Sequence, residues 1–236
     1  FRVWAPDQRG YGESSKPRGI SAYAIDELVA DVVGLIDASG NETANIVGHD
    51  WGGAVAWRLA ATHPERIRRL AVLNCPHSRV MAKNVRSNPA QTARSAYVLF
   101  FQLPLLPELV LGARGAALLE RALVRTSRGS AFSEEDLLRY HEAWSRPDAM
   151  RSMINWYRAI RRGVGKGGDR RIRVPTLLLW GARDRFLGPE MAEQSIALCE
   201  DGRLTWLKEA THWLHHEEPE RVSLILADFF RDPQGS

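Results

Sequence analysis

Sulfur is scarce in this chain. Two cysteines among 236 residues, Cys75 and Cys199, both in apolar surroundings, do not make a disulfide framework and read as reduced core thiols. No apolar run reaches the roughly 18 residues of a membrane helix, and no secretory leader is recognisable, so a cytoplasmic protein without membrane contact is expected. There is no internal repeat and no low-complexity tract; Gly163–Gly168 comes nearest to a linker. Aromatic and basic residues do not interleave. The net charge of +4 arises from scattered arginines, in short clusters such as Arg66, Arg68 and Arg69, Arg161 and Arg162, and Arg170, Arg171 and Arg173. These read as solvated faces, and no nucleic-acid partner is expected. His212, His215 and His216 crowd together, but no carboxylate or cysteine set completes a metal site around them; no metal and no cofactor is expected.

What is present is an alternation of short apolar runs and helical patterns. A hydrophobic content of 44% in a chain of this length suffices for one sizeable domain, or one carrying an insertion. Phe1–Pro6 reads as a strand in progress. Ser21 is a candidate N-cap for a helix whose apolar residues Ile25, Leu28, Val29, Val32, Leu35 and Ile36 recur at helical spacing until Gly40. A strand over Thr43–Val47, a helix over Ala54–Ala60 that stops near Pro64, and a strand over Leu70–Asn74 follow. Such alternation predicts an α/β fold with a mostly parallel sheet and helices on both faces. From 78 to 168 the pattern is helical only, broken by Pro89, Pro104, Pro107, Gly129 and Pro147. The alternation resumes with Thr176–Trp180, a helix over Met191–Leu198, a strand over Leu204–Leu207 and a last helix from Pro219. The expected organisation is a core of residues 1–77 and 169–236 with an inserted all-helical cap, 78–168, over the carboxyl ends of the strands, where open α/β sheets bind ligands.

The stretch Gly48-His49-Asp50-Trp51-Gly52-Gly53 joins a strand to a helix and reads as a nucleophile elbow with aspartate in the nucleophile position. At a helix N-terminus the dipole and free N–H groups favour an ionised Asp50, which needs no base to become a nucleophile. Carboxylate attack on an acyl carbon would give a reactive anhydride. Attack on a saturated carbon gives an ordinary ester that water can cleave, so Asp50 points to breaking a C–O or carbon–halogen bond. Partners belong at the ends of later strands. Asp184 follows Thr176–Trp180 and His212 follows Leu204–Leu207, giving the order nucleophile, acid, histidine of α/β-hydrolases. In this arrangement His212 deprotonates water and Asp184 fixes its tautomer. Asp184 could instead pair with Arg183 or Arg185 at the surface. His49 is expected to pack or hydrogen-bond below the site, and His215 and His216 to be polar residues at a helix entry.

Ala5-Pro6-Asp7-Gln8-Arg9-Gly10-Tyr11-Gly12-Glu13-Ser14, the Asp50 elbow, Gly181-Ala182-Arg183-Asp184 and Thr211-His212-Trp213 together resemble the epoxide hydrolases of the α/β-hydrolase fold, through nearly the whole chain. The elbow alone does not separate that family from haloalkane and haloacetate dehalogenases, which also use an aspartate. Tyr97-Val98-Leu99-Phe100-Phe101-Gln102-Leu103-Pro104 and Asn155-Trp156-Tyr157-Arg158 resemble the segments that carry the two tyrosines of epoxide hydrolases. Opening an epoxide leaves an alkoxide, and two phenol O–H groups aimed at one oxygen stabilise it.

The resemblance implies hydrolysis of a small hydrophobic epoxide to a vicinal diol by water. Asp50 would be the nucleophile, His212 the base, Asp184 its charge partner, and Tyr97 and Tyr157 the oxygen donors. The Trp51 backbone N–H would be an oxyanion donor, and Trp51, Phe101 and Trp213 would line the substrate; the assembly would be a monomer or homodimer. The family's His-Gly-x-Pro oxyanion motif has no counterpart, and the first strands of the sheet are expected to be missing, roughly 40 to 60 residues if three strands and their connections are absent. Two alternatives stay open. A dehalogenase would use the same aspartate, although Trp51 stands where the haloacetate enzymes usually place a carboxylate-clamping arginine. A non-catalytic ligand-binding protein of this fold would keep only the pocket.

Overall fold

Strands whose residues are apolar at every position need cover on both faces. The computed structural model, which describes residues 1–163 and 171–231, sets four strands side by side, of which the one holding Leu177-Leu178-Leu179-Trp180 is of this kind. They are β1 (Ala44–His49), β2 (Ile67–Leu73), β3 (Thr176–Gly181) and β4 (Gly202–Leu207), all parallel and adjacent in that order. The pleat divides their side chains. Leu70, Val72, Leu178 and Trp180 enter one cluster with Trp57, Leu59 and Met191, while Ala71, Leu73, Leu177 and Leu179 enter another with Leu207, Leu214, Val222 and Phe229. The unbroken run Leu177-Leu178-Leu179-Trp180 is thereby explained: its residues alternate between two cores. Truncating Leu178 to alanine would cost about 2–5 kcal/mol.

Helices α1 (Ile25–Ala38) and α2 (Trp51–Thr62) cover the first face. Between β2 and β3 come α3 (Ser78–Ser87), α4 (Pro89–Arg94), α5 (Tyr97–Phe100), α6 (Leu106–Thr126), α7 (Glu134–Ser145) and α8 (Ala149–Gly163), with no strand among the described residues. α6 is two helical pieces joined where Arg114, Gly115 and Ala116 take positive φ. α7 opens on a capping box in which Ser133 and Asp136 satisfy each other's backbone N–H. After β3, α9 (Glu190–Ile196) joins the first core, and after β4, α10 (Leu214–Glu217) and α11 (Pro219–Arg231) cover the second face. None of the helices among the described residues is long and apolar enough to cross a membrane.

α8 leans back on the beginning of the chain. The Tyr23 hydroxyl meets the Ser152 hydroxyl at 2.9 Å, and the Trp156 indole N–H donates to the Arg9 carbonyl at 3.0 Å. These bonds fix where the next residue, Tyr157, stands.

Two expectations are corrected. Phe1–Pro6 is not a strand: these residues are exposed and nothing among the described residues pairs with their backbone, which a strand requires. Phe1 packs edge-on against Phe230 at 6.3 Å instead. Ser21 is not an N-cap. It lies in a 3-10 turn over Ile20–Tyr23 that is held by the Tyr23 hydroxyl donating to the Pro17 carbonyl at 2.9 Å. α1 begins after it, with Ala24 at the N-cap position and no side-chain cap, and Asp26 and Glu27 in its first turn complement the dipole. Gly40 does end the helix, at φ 74°. Beyond Gly163, the stretch read as a linker lies outside the described residues, as does the boundary at 168.

Candidate active site

β1 runs into α2 through a single residue, Asp50, at φ 50° and ψ −120°. This conformation costs of order 1–3 kcal/mol and persists only where the surroundings enforce it. Here glycines do. A Cβ on Gly48 would lie 2.3 Å from the Gly52 carbonyl oxygen, and one on Gly53 would lie 2.5 Å from Cβ of Cys75. Strand and helix therefore close to a distance no other residue permits, and the Asp50 side chain is lifted out of the turn with 45% of its surface exposed.

His212 follows β4 and is brought back over the elbow. Its Nε2 lies 3.3 Å from Asp50 Oδ2, and its Nδ1 lies 2.8 Å from Asp184 Oδ2. Asp184 is not a surface ion-pair residue: Arg183 pairs with Glu209, and Arg185 donates to the Arg125 carbonyl at 2.9 Å. The Asp184 carboxylate is buried and saturated. Oδ1 accepts from the backbone N–H groups of Phe186 at 2.7 Å and Leu187 at 3.0 Å, and Oδ2 also accepts from Asn74 Nδ2 at 2.6 Å. Gly181 makes this possible, because a Cβ there would sit 2.0 Å from the Thr211 carbonyl oxygen. His49 stands beneath: its Nε2 reaches the His212 carbonyl at 2.9 Å, and its ring lies 4.6 Å from His212 and 4.3 Å from His215. His215 and His216 occupy α10, as expected.

The opposite wall is aromatic. Tyr157 of α8 meets the Trp51 ring edge-on at 5.1 Å, Phe101 at 4.8 Å and Tyr97 at 5.9 Å. Tyr97 leads by way of Phe186, at 6.5 Å, to His212, 5.2 Å from the same ring. Asp50, Trp51, Asp184, His212, Tyr97, Tyr157 and Phe101 thus share one cluster of contacts. Trp213 stands on the histidine side, 5.1 Å from His212 and 5.7 Å from Phe132, with its indole N–H on Thr126 Oγ1 at 2.9 Å.

The charges order themselves. Burial disfavours the Asp50 anion, but the hydrogen bond and positive charge of His212, the nearby His49 and the Trp51 backbone N–H outweigh it and hold this carboxyl below its ordinary range. Burial likewise disfavours the His212 cation, and the attraction of Asp184 with hydrogen bonds to Asp184 and Asp50 outweighs that, so the imidazole is raised. The site thus favours negative charge on Asp50 and positive charge on His212. Burial, reinforced by the Asp50 charge, raises both Tyr97 and Tyr157, so each remains an O–H donor at neutral pH. Cys75 behind the elbow is raised too, by burial and by the charges of Asp50 and Asp184.

Sequence reasoning missed three neighbours. Asn74 carried a signal, an amide at the end of a buried strand, and the structure gives it φ 40° and complete burial, with its Oδ1 accepting from Gly181 N–H at 2.8 Å. Tyr11, in Gly10-Tyr11-Gly12, packs edge-on against Trp156 at 5.5 Å and feels the Asp50 charge. Phe186 had no signal beyond following an aspartate loop.

Sheet, elbow and histidine loop define a class, and residues 1–219 match the family described by the alpha/beta hydrolase fold. The chain belongs to that family. Within it, the chain is 42% identical over 232 residues to the AB hydrolase superfamily protein YfhM of Bacillus subtilis, covering 98% of itself and 81% of that protein. It is 37% identical to mouse epoxide hydrolase 4, covering 98% of itself and 66% of the relative. Among solved structures, Bacillus megaterium epoxide hydrolase in complex with an inhibitor superimposes with a TM-score of 0.85 at 25% identity, over 95% of this chain and 82% of that one. Its curated relatives and structural neighbours thus include epoxide hydrolases.

Proposed function

We propose that the chain hydrolyses epoxides to vicinal diols through an alkyl ester on Asp50, with residues 78–168 forming a cap over a core of 1–77 and 169–236. One observation carries this reading: two phenols, Tyr97 and Tyr157, stand edge to edge at 5.9 Å, with the Tyr157 ring 5.1 Å from that of Trp51 next to Asp50, whose carboxylate lies 3.3 Å from His212 Nε2. An Asp50 oxygen attacks an epoxide carbon, and the C–O bond breaks. The departing oxygen receives the two phenol O–H groups and takes a proton from one of them. Ester formation removes the Asp50 charge. His212 then loses one of the two anions that raised it, gives up its proton, which restores the phenol through solvent, and becomes the base for water. Water adds to the Asp50 carbonyl carbon, the Trp51 backbone N–H receives the oxyanion, and collapse releases the diol and the free carboxylate. Asp184 holds the His212 tautomer throughout.

A dehalogenase has no use for two phenol O–H groups beside its nucleophile, whereas an epoxide oxygen needs them. The test is intact-mass analysis of a His212→Gln variant exposed to a panel of epoxides and haloalkanes. An adduct of one epoxide mass is expected, absent in Asp50→Asn; halide release with adducts from haloalkanes alone would overturn the reading.

A further inference from the structure

The loop that carries His212 is fastened from outside the site. Glu217, closing α10, turns its carboxylate back onto the residue before the histidine: Oε2 accepts from the Thr211 backbone N–H at 2.7 Å and Oε1 from the Thr211 hydroxyl at 2.6 Å. The same Oε1 accepts from the backbone N–H of Arg128, just past α6, at 2.6 Å. The Arg128 guanidinium donates to the Glu217 carbonyl at 2.9 Å and lies 3.6 Å from the Glu218 carboxylate. On the other side of the histidine, Trp213 is tied to Thr126 through its indole N–H at 2.9 Å. Both residues flanking His212 are therefore anchored to the end of α6, and none of these bonds touches the reacting atoms.

We propose that Glu217 is a positioning residue for His212, acting on hydrolysis of the ester and not on its formation. This rests on the epoxide hydrolase reading above. Three donors converge on one carboxylate, and only a carboxylate accepts them all; an amide has one acceptor oxygen, and its NH₂ would face a backbone N–H. The Asp184 carboxylate already fixes the ring at Nδ1, so what Glu217 sets is the height of the loop, and with it where Nε2 stands relative to the ester carbon. Water activation needs Nε2, water and carbonyl carbon in line and is sensitive to displacements of about 1 Å. Ester formation uses Asp50, Tyr97 and Tyr157, none of which Glu217 touches.

Rapid-quench intact-mass analysis separates the two half-reactions. With an epoxide that gives an adduct in His212→Gln, Glu217→Gln is expected to form the ester within about twofold of the wild-type rate and to hydrolyse it about tenfold to a hundredfold more slowly. The ester then accumulates, and kcat and KM fall together, a signature that loosened folding would not produce. The low-field Nδ1–H resonance of His212 is expected to move in the same variant. Thr211→Val, which keeps the backbone bond and loses the hydroxyl bond, should show the same split in smaller measure, and it carries the test if Glu217→Gln does not fold. Hydrolysis at the wild-type rate in these variants, or equal slowing of both steps, overturns the proposal alone. Absence of any epoxide adduct in wild type and His212→Gln overturns the epoxide hydrolase reading, and this proposal with it.

Discussion

The histidine side of the site and the tyrosine side are built differently. Asp184 is held by four hydrogen bonds, from Phe186, Leu187, Asn74 and His212, and its side chain is 1% exposed. Every partner comes from the end of a strand or the loop just past it. Tyr97 opens a four-residue helix, is 40% exposed, and shares with Tyr157 a set of aromatic edges at 4.8 to 5.9 Å. Such contacts contribute about 0.5–1.5 kcal/mol each and tolerate sliding, whereas a buried carboxylate stripped of a donor suffers the full desolvation penalty. On the reading proposed above, the sheet fixes the chemistry that any ester requires, while the helices between β2 and β3 carry the part that meets the substrate's own shape.

The contrast can be broken by substitution. The largest effect is expected for Asp184→Asn: about 10³–10⁴-fold slower ester hydrolysis, with ester formation nearly intact, because the amide holds the wrong tautomer of His212. Quench-flow measurement of the two steps checks this, and equal loss in both would erase the division between the halves. Tyr157→Phe should do the reverse, slowing ester formation by about 10- to 10³-fold and leaving hydrolysis of a preformed ester near wild type. Asn74→Ala is expected to cost about 1–3 kcal/mol of stability in a denaturant titration, since it leaves a buried carboxylate lone pair and the Gly181 N–H unmet.

Proton linkage sharpens the same comparison. His212 is raised in the folded chain, so its contribution to stability is complete below about pH 6.5 and fades as pH rises through the folded value. Asp50 is lowered, so its contribution is present above about pH 3.9 and fades as pH falls through the folded value. Asp50→Asn should therefore lower the His212 titration point followed by NMR. Both tyrosines should stay protonated, because burial comes first among the causes that hold them up.

The histidine side was also the more legible in sequence. Strand ends can be read from apolar runs, and a residue just past one has few places to go; Asp50, Asp184 and His212 could be placed on that ground. The parallel sheet followed from the same runs. Tyr97 and Tyr157 could not, because aromatic residues at helical spacing mostly mean core; resemblance singled them out. Glu217 was illegible for another reason: it acts by accepting from the backbone N–H of Thr211, and every residue but proline has one. The strand read into Phe1–Pro6 failed because propensity names a conformation without supplying its hydrogen-bonding neighbour.

Cys75 bears on how long such a catalyst lasts. Epoxides alkylate thiolates, and a cysteine packed against Gly53 lies next to the place where this electrophile is proposed to gather. Burial and the two carboxylates keep that sulfur protonated and therefore a poor nucleophile. On the proposed reading, the charge that opens the substrate at Asp50 also disfavours the thiolate that the substrate would alkylate, and slow self-inactivation over many turnovers is the expected outcome.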